Sequence, residues 1–255
     1  MGLKSKTDQF WNQRPVVEPD NAKVNISDTV QRDMELQFVF ENVSLHDRVV
    51  EIGCGNGYVS EKLRSRVAHL DAFDYAEKMI DRARDLWGEL NNRFFHDSVL
   101  SPQKIRPPYD VALCVRVLIN LRDLDEQRLA IKNMAGMLRQ GGRLILIEGY
   151  RDGFDTINAF RQSIGMEPAT PAQINFYSYL GELMPTIAEY FAIERTWHSG
   201  LFDFLTRIVY PQIAGAENAT GPGEFHHKIE PIVRESSSRD LARFARLHGF
   251  ALSKR

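Results

Sequence analysis

Residues Arg48 to Gly57, Arg-Val-Val-Glu-Ile-Gly-Cys-Gly-Asn-Gly, constrain this chain more than any other segment. A short apolar run ends in Glu51, glycines follow at positions 53, 55 and 57, and Tyr58-Val-Ser-Glu-Lys-Leu63 then reads as a helix. The pattern predicts a strand that enters a glycine-rich turn and leaves it as a helix. Side chains in such a turn would block the approach of the backbone to a ligand, and the turn needs backbone angles that glycine adopts cheaply. A nucleotide-type ligand suits this geometry. A dinucleotide fingerprint, G-x-G-x-x-G, puts its third glycine at position 58, where this chain has Tyr58.

Strands and helices alternate through the first 150 or so residues. His69-Leu-Asp-Ala-Phe-Asp74 reads as a second strand, and Ala76 to Trp87 carries Met79, Ile80, Ala83, Leu86 and Trp87 at helical spacing. Arg93 to His96 is a short third strand and Tyr109 to Val115 a fourth. Leu124 to Leu138 is an amphipathic helix closed by Gln140-Gly-Gly142, and Arg143 to Glu148 is a fifth strand. Such alternation implies a parallel sheet covered on both faces, with ligands at the carboxyl ends of its strands. Glu51, Asp74 and Asp97 stand at three of those ends. An aspartate after a strand is also a common helix cap or turn former.

With 255 residues, 43% of them hydrophobic, the chain can bury a large core. No stretch reaches membrane-spanning length and the N-terminus has no apolar signal core, so a cytoplasmic protein is expected. Two cysteines, Cys54 and Cys114, exclude a disulfide framework. A formal charge of −2 gives no general field for polyanions, which disfavours nucleic acid as substrate.

The segment from Val49 to about Glu148 resembles the class I S-adenosylmethionine (SAM) dependent methyltransferases, through E-I-G-C-G-N-G, F-D-Y-A with Asp74, H-D-S with Asp97, and Y-D-V-A-L-C-V-R-V-L-I-N-L after the fourth strand. The resemblance implies SAM as cofactor and S-adenosylhomocysteine (SAH) as product. It implies that Gly53, Cys54, Gly55, Asn56 and Gly57 form the cofactor loop, with Glu51 holding the methionine ammonium. Asp74 would accept the ribose hydroxyls, with Tyr75 and Met79 beside it. Asp97 would take the adenine amino group, with the Ser98 N–H on a ring nitrogen, and Cys114, Val115 and Arg116 would line the methionine end. Arg116 reads equally as a salt-bridging arginine. Trp11 or Arg14 could fold over the cofactor carboxylate, and a frayed terminus is the competing reading.

Absent motifs narrow the chemistry. Amino-group methyltransferases acting on DNA bases or glutamine resemble one another in an Asn/Asp-Pro-Pro-Tyr motif after the fourth strand, where this chain has Cys114-Val-Arg-Val, and Pro107-Pro-Tyr109 lies before that strand. No carboxylate follows the fourth strand until Asp123, so no metal is expected. Neither cysteine suits a methyl-accepting nucleophile, since burial raises a thiol pKa. A hydroxyl acceptor would need a general base, for which His198, the pair His226-His227 and Glu148 are the candidates. Isolated histidines are more often packing or surface residues.

Beyond residue 150, Arg151 to Ile164 reads as a helix and Phe191 to His198 as a sixth strand, while Leu201 to Tyr210 is either helix or strand. Ala214 to Gly223 reads as a loop, Ser236 to His248 as a helix with Ser238 a possible cap, and Phe250 to Ser253 as a closing strand. Tyr177 and Tyr179 line an acceptor pocket or belong to the core. Residues 157–211 loosely resemble methyltransferases of bacterial surface-polysaccharide and sugar biosynthesis. The fold expected is α/β: a Rossmann-like, seven-stranded, mostly parallel sheet with helices on both faces and cap elements from the second half. Residues 1–45 would form an N-terminal lid, 46–150 the SAM-binding core, and 151–255 the rest of the core with the cap. The function expected is methyl transfer to an oxygen or nitrogen of a small molecule, with a sugar or sugar-containing metabolite as the candidate acceptor; an RNA methyltransferase with a basic face at Arg239, Arg243 and Arg246, or a non-catalytic SAM-binding scaffold, are the alternatives. A dehydrogenase fits poorly, given Tyr58 and Asp97-Ser98.

Overall fold

The computed structural model describes residues 3–88, 93–219, 221–236 and 239–255. One sheet joins seven strands in the order β3-β2-β1-β4-β5-β7-β6. They are β1 (Arg48–Ile52), β2 (His69–Asp74), β3 (Arg93–His96), β4 (Tyr109–Val115), β5 (Leu138–Gly149), β6 (Phe191–His198) and β7 (Leu247–Lys254). The first five pair in parallel, while β7 runs antiparallel between β5 and β6.

Side chains alternate across a strand, so each central strand feeds two cores. Val50, Ala112, Cys114, Leu144, Leu146 and Leu252 share one cluster; Val49, Val111, Leu113, Ile145, Ile147 and Ala251 share the other. Helix α5 (Leu124–Met137) covers the first with Ala130, Ile131 and Met134, joined by Leu183 and Ile187 of α7 (Leu180–Tyr190). Phe38 and Val39 of α2 (Thr29–Phe40) cover the second together with Leu63 of α3 (Tyr58–Leu63). Asp28 caps α2 by accepting from the Gln31 N–H.

The remaining helices are α1 (Leu3–Val17), α4 (Glu77–Trp87), α6 (Arg151–Ser163), α8 (Gly200–Phe204), α9 (Tyr210–Ala214) and α10 (Glu224–Glu235). Leu201 to Tyr210, open between helix and strand, is helical, with a π-helical turn at Leu205–Val209. Two expectations are corrected. Gln140-Gly-Gly142 does not close α5: the helix ends at Met137 and these residues already belong to β5, where Gly141 takes a positive φ of 67° and the pairing with β4 shifts register between Tyr109 and Val111. Nor is Ser236 to His248 one helix: a 3₁₀ turn spans Arg239–Phe244 and β7 begins at Leu247, while Ser238 lies outside the described residues. Helix α10 was not anticipated.

A buried carboxylate ties the sheet together away from the ligand edge. Asp71 accepts from Tyr109 Oη at 2.6 Å and from Arg93 Nε at 2.8 Å, and pairs with His69 at 3.1 Å. Burial pushes its pKa up, but the hydrogen bonds from Arg93, Tyr109 and His69 outweigh that and hold it below the ordinary value. Its contribution is therefore present above the unfolded carboxyl pKa and fades as pH falls through the lowered folded one. Tyr109→Phe is expected to cost about 2 kcal/mol in urea unfolding at neutral pH, with a smaller difference from wild type in acid, where Asp71 is protonated.

Candidate active site

At the end of β1 the chain turns on three residues with left-handed φ: Gly53 (68°), Gly55 (54°) and Gly57 (76°). A Cβ on Gly53 would stand 2.4 Å from Val117 Cγ2, and one on Gly55 2.2 Å from Asn25 Oδ1. Gly53 and Gly55 therefore allow both the conformation and the close approach of neighbouring segments. Asn25 braces the turn, donating to the Cys54 carbonyl and accepting from the Asn56 N–H, each at 3.4 Å.

Sheet order arranges the strand ends along one edge: Asp97 after β3, Asp74 at β2, Glu51 and the glycine turn at β1, Arg116 after β4. They flank a cavity of about 1090 Å³, closed by α1, residues 22–27 and Ile174-Asn175. That volume takes a nucleoside-sized ligand together with a small second molecule. Asp74 Oδ2 accepts from the Gly55 N–H at 2.9 Å and Oδ1 from the Ala76 N–H at 2.8 Å, leaving lone pairs on both oxygens. Burial raises its pKa against those bonds. Glu51 accepts from Ser60 Oγ, and burial pushes it up to about 8.

The structure brings together Trp11, Arg14, Glu51, Gly53, Gly55, Asp74, Tyr75, Asp97, Ser98, Val115 and Arg116 as cavity wall, but with altered roles for several. Asp97 acts as the turn former: its carboxylate takes the N–H groups of Ser98, Gln103 and Lys104, so the Ser98 N–H is already engaged. The Arg14 guanidinium holds the carbonyls of Lys23 and Val24 and pairs with Glu18. Arg116 forks onto the buried Glu35 of α2, with Nε 3.1 Å from Oε2, and sits at a φ of 56° that non-glycine residues rarely adopt. Burial raises Glu35, with Arg116 opposing. Trp11 donates to Asn120 Oδ1 at 2.8 Å, and Asn120 in turn donates to the Arg116 carbonyl at 2.7 Å, joining α1 to the turn after β4.

Other expected contacts point elsewhere. Cys54 and Met79 are core residues, and Cys114 lies on the face beneath α5. The Asn56 side chain donates to the Asn21 carbonyl, while Gly57 faces Phe94 and Trp87 rather than the cavity. Burial pushes both thiols up. All four catalytic candidates lie off the cavity wall. Glu148 is buried, accepting from the Val117 and Leu118 N–H groups at 2.6 Å each and from Ile119 at 3.4 Å; it fastens the turn after β4. His198 ends β6, the outermost strand, and accepts from the Gly200 N–H. His227 is exposed on α10, whereas His226 is buried against Phe202 and Tyr210. Tyr177 packs on Phe154, and Tyr179 is exposed and bonded to Asp155.

Sequence reasoning missed Asn25, Glu35 and Asn120. Their partners lie 29, 81 and 109 positions away; Asn120 stood within the segment quoted after the fourth strand but was given no role, and no local pattern marks Asn25 or Glu35.

Because the folded pKa of Glu51 lies near 8 against an ordinary 4.5, its protonated form stabilises the fold below the lower value, and that contribution is lost as pH rises through the upper one. Wild-type stability measured in urea should decline over this window relative to Glu51→Gln. Glu148→Ala should cost about 3 kcal/mol by stranding the N–H groups it holds, read by the same unfolding curves.

The methyltransferase-domain family matches residues 49–142. The ubiquinone biosynthesis O-methyltransferase of Coxiella burnetii is 28% identical over 128 residues, 49% of this chain and 50% of that protein. The malonyl-[acyl-carrier protein] O-methyltransferase of Bacillus anthracis is 33% identical over 100 residues, 38% of this chain and 36% of that protein. The chain thus spans about half the length, or less, of these curated relatives. In fold it is similar to the N-methyltransferase NodS of Bradyrhizobium japonicum, solved with SAH, at a TM-score of 0.59 and 16% identity over 98% of each chain. The geranyl diphosphate C-methyltransferase of Streptomyces coelicolor gives 0.62 at 12% identity, over 100% of this chain and 99% of that one. Residues 49–142 thus match a methyltransferase domain, and the chain shares its fold with these solved methyltransferases.

Proposed function

We propose that the protein binds SAM along the β3-to-β4 edge and transfers its methyl group to an oxygen or nitrogen of a small molecule entering beside Arg116. The observation that carries this reading is the single cavity shared by the glycine turn, Glu51 and Asp74. The site fits the cofactor: glycines 53 and 55 leave backbone free for close approach, and Asp74 keeps acceptor capacity for two ribose hydroxyls. Glu51 would meet the ammonium, while Val99 and Leu100 offer an apolar wall to the base. Bound SAM supplies an activated methyl on a sulfonium that leaves as a neutral thioether.

The protein's contribution is then mainly to hold the acceptor in line and keep water out, which supplies much of the rate in such transfers. Trp11 closes one side of the cavity through Asn120, and Glu148 fixes the turn on the other. His198, His227 and Glu148 lie off the wall; the histidine on it is His96, whose Nε2 stands 3.0 Å from the Tyr75 carbonyl, so a base for a hydroxyl acceptor would come from there. The sugar expectation gains no contact here. The basic face expected for RNA lacks Arg246, whose guanidinium turns inward onto Asp203 at 2.7 Å.

Isothermal titration calorimetry with SAM and SAH should show micromolar affinity that Asp74→Ala weakens by about tenfold or more. An ammonium beside Glu51 favours its ionised form, so binding at neutral pH should release a proton, visible as a dependence of the heat on buffer ionisation enthalpy and absent in Glu51→Gln. A folded protein that binds neither ligand overturns the reading.

A further inference from the structure

Three arginines from distant parts of the chain come within electrostatic reach of one another: Arg116 after β4, which lines the cavity, Arg207 in the π-helical turn, and Arg246 just before β7. Two of them are answered. Arg116 forks onto Glu35, while Arg246 donates to Asp203 Oδ1 at 2.7 Å and to Gln31 Oε1 at 3.1 Å. Among the described residues, Arg207 is answered only by a long ion pair with Asp28. Among the described residues its guanidinium makes no hydrogen bond; Nε is buried without a partner, and the Asp28 carboxylate stands 3.9 Å from Nη2, beyond hydrogen-bond reach. The other oxygen of Asp28 is committed to capping α2.

The backbone holds this cation in place, because Arg161 donates to the Arg207 carbonyl. The turn is π-helical, a form that recurs at functional sites. Repulsion from Arg246, and then burial, pull the Arg207 pKa down to about 10. A half-buried guanidinium beside another cation and without hydrogen bonds carries a free-energy penalty that an anion would relieve. Ser27, next to Asp28, and Arg116 both line the cavity, so an anion meeting Arg207 would lie at its rim.

We propose that Arg207, with the terminal nitrogen of Arg116 that Glu35 does not use, forms a subsite for an anionic oxygen group, carboxylate or phosphate, carried by the methyl acceptor. The planar guanidinium presents paired donors that match either oxyanion. This rests on the methyltransferase reading for the word acceptor, but the anion site itself stands on the arginines alone.

The test titrates inorganic phosphate and acetate, at fixed ionic strength in chloride-free buffer, into SAH-saturated protein, following arginine Nε–H signals by NMR. Saturable binding of either anion is expected, shifting the signal that disappears in Arg207→Lys. Arg207→Met should weaken it about tenfold or more, with Arg207→Lys between. Asp28→Asn keeps an α2 cap while removing the nearby carboxylate, and should tighten it. A preference for phosphate or for acetate then identifies the group. Equal or absent anion binding in wild type, Arg207→Lys, Arg207→Met and Asp28→Asn, with SAH still bound, overturns the subsite alone. Loss of SAH binding with anion binding intact overturns the methyltransferase reading and leaves the subsite standing.

Discussion

The pairing of β1 between β2 and β4 is what every functional element here depends on. The chain runs outward from β1 to β2 and β3, then crosses back to lay β4 on the other side of β1, so the connections leave the sheet in opposite directions and open a crevice between them. Parallel register puts Ile52 beside Phe73 and Cys114, which brings the glycine turn level with Asp74 and with the turn at Arg116. A slip of one residue would turn each of these side chains to the opposite face.

Around that crevice the protein buries four carboxylates, Glu35, Glu51, Asp74 and Glu148, and burial raises the pKa of each. Their partners differ, and so do their tasks. Glu148 is spent on the N–H groups of Val117, Leu118 and Ile119, and Glu35 on Arg116; both shape the turn after β4. Among the described residues Glu51 meets only the Ser60 hydroxyl, and Asp74 accepts from the Gly55 and Ala76 N–H groups, so these keep capacity for a cationic or hydroxyl-bearing ligand. Buried acids are costly wherever they occur. The ones left incompletely paired are those facing the ligand.

The N-terminal helix completes the enclosure through long-range polar contacts rather than through its own amphipathicity. Thr7 donates to the Ile174 carbonyl and Trp11 to Asn120, while Arg82 of α4 donates to Asn21 and Pro19. These bonds hold α1 and the following segment over the strand ends, the position in which Trp11 and Arg14 become wall.

The sequence by itself determined the strand, glycine turn and helix at residues 48–63, the alternation to Glu148, and the acids at three strand ends, because these depend on local backbone preference and on short apolar runs between breaks. Strand β6 was legible for the same reason. The tertiary structure decided which side chains share the cavity. His198 was a candidate base for its place at the end of the sixth strand, yet β7 inserts between β5 and β6 and carries it to the outer edge. Glu148 ends the adjoining strand but is drawn inward by three N–H groups whose positions follow from the fold of the turn after β4. Asn25 and Glu35 have no motif at all, and the segments that contain Asn120 and Arg207 do not say what those side chains meet. What places them is pairing across tens of residues, and such pairing is fixed by the packing of whole elements and not by the neighbours of a residue in the chain.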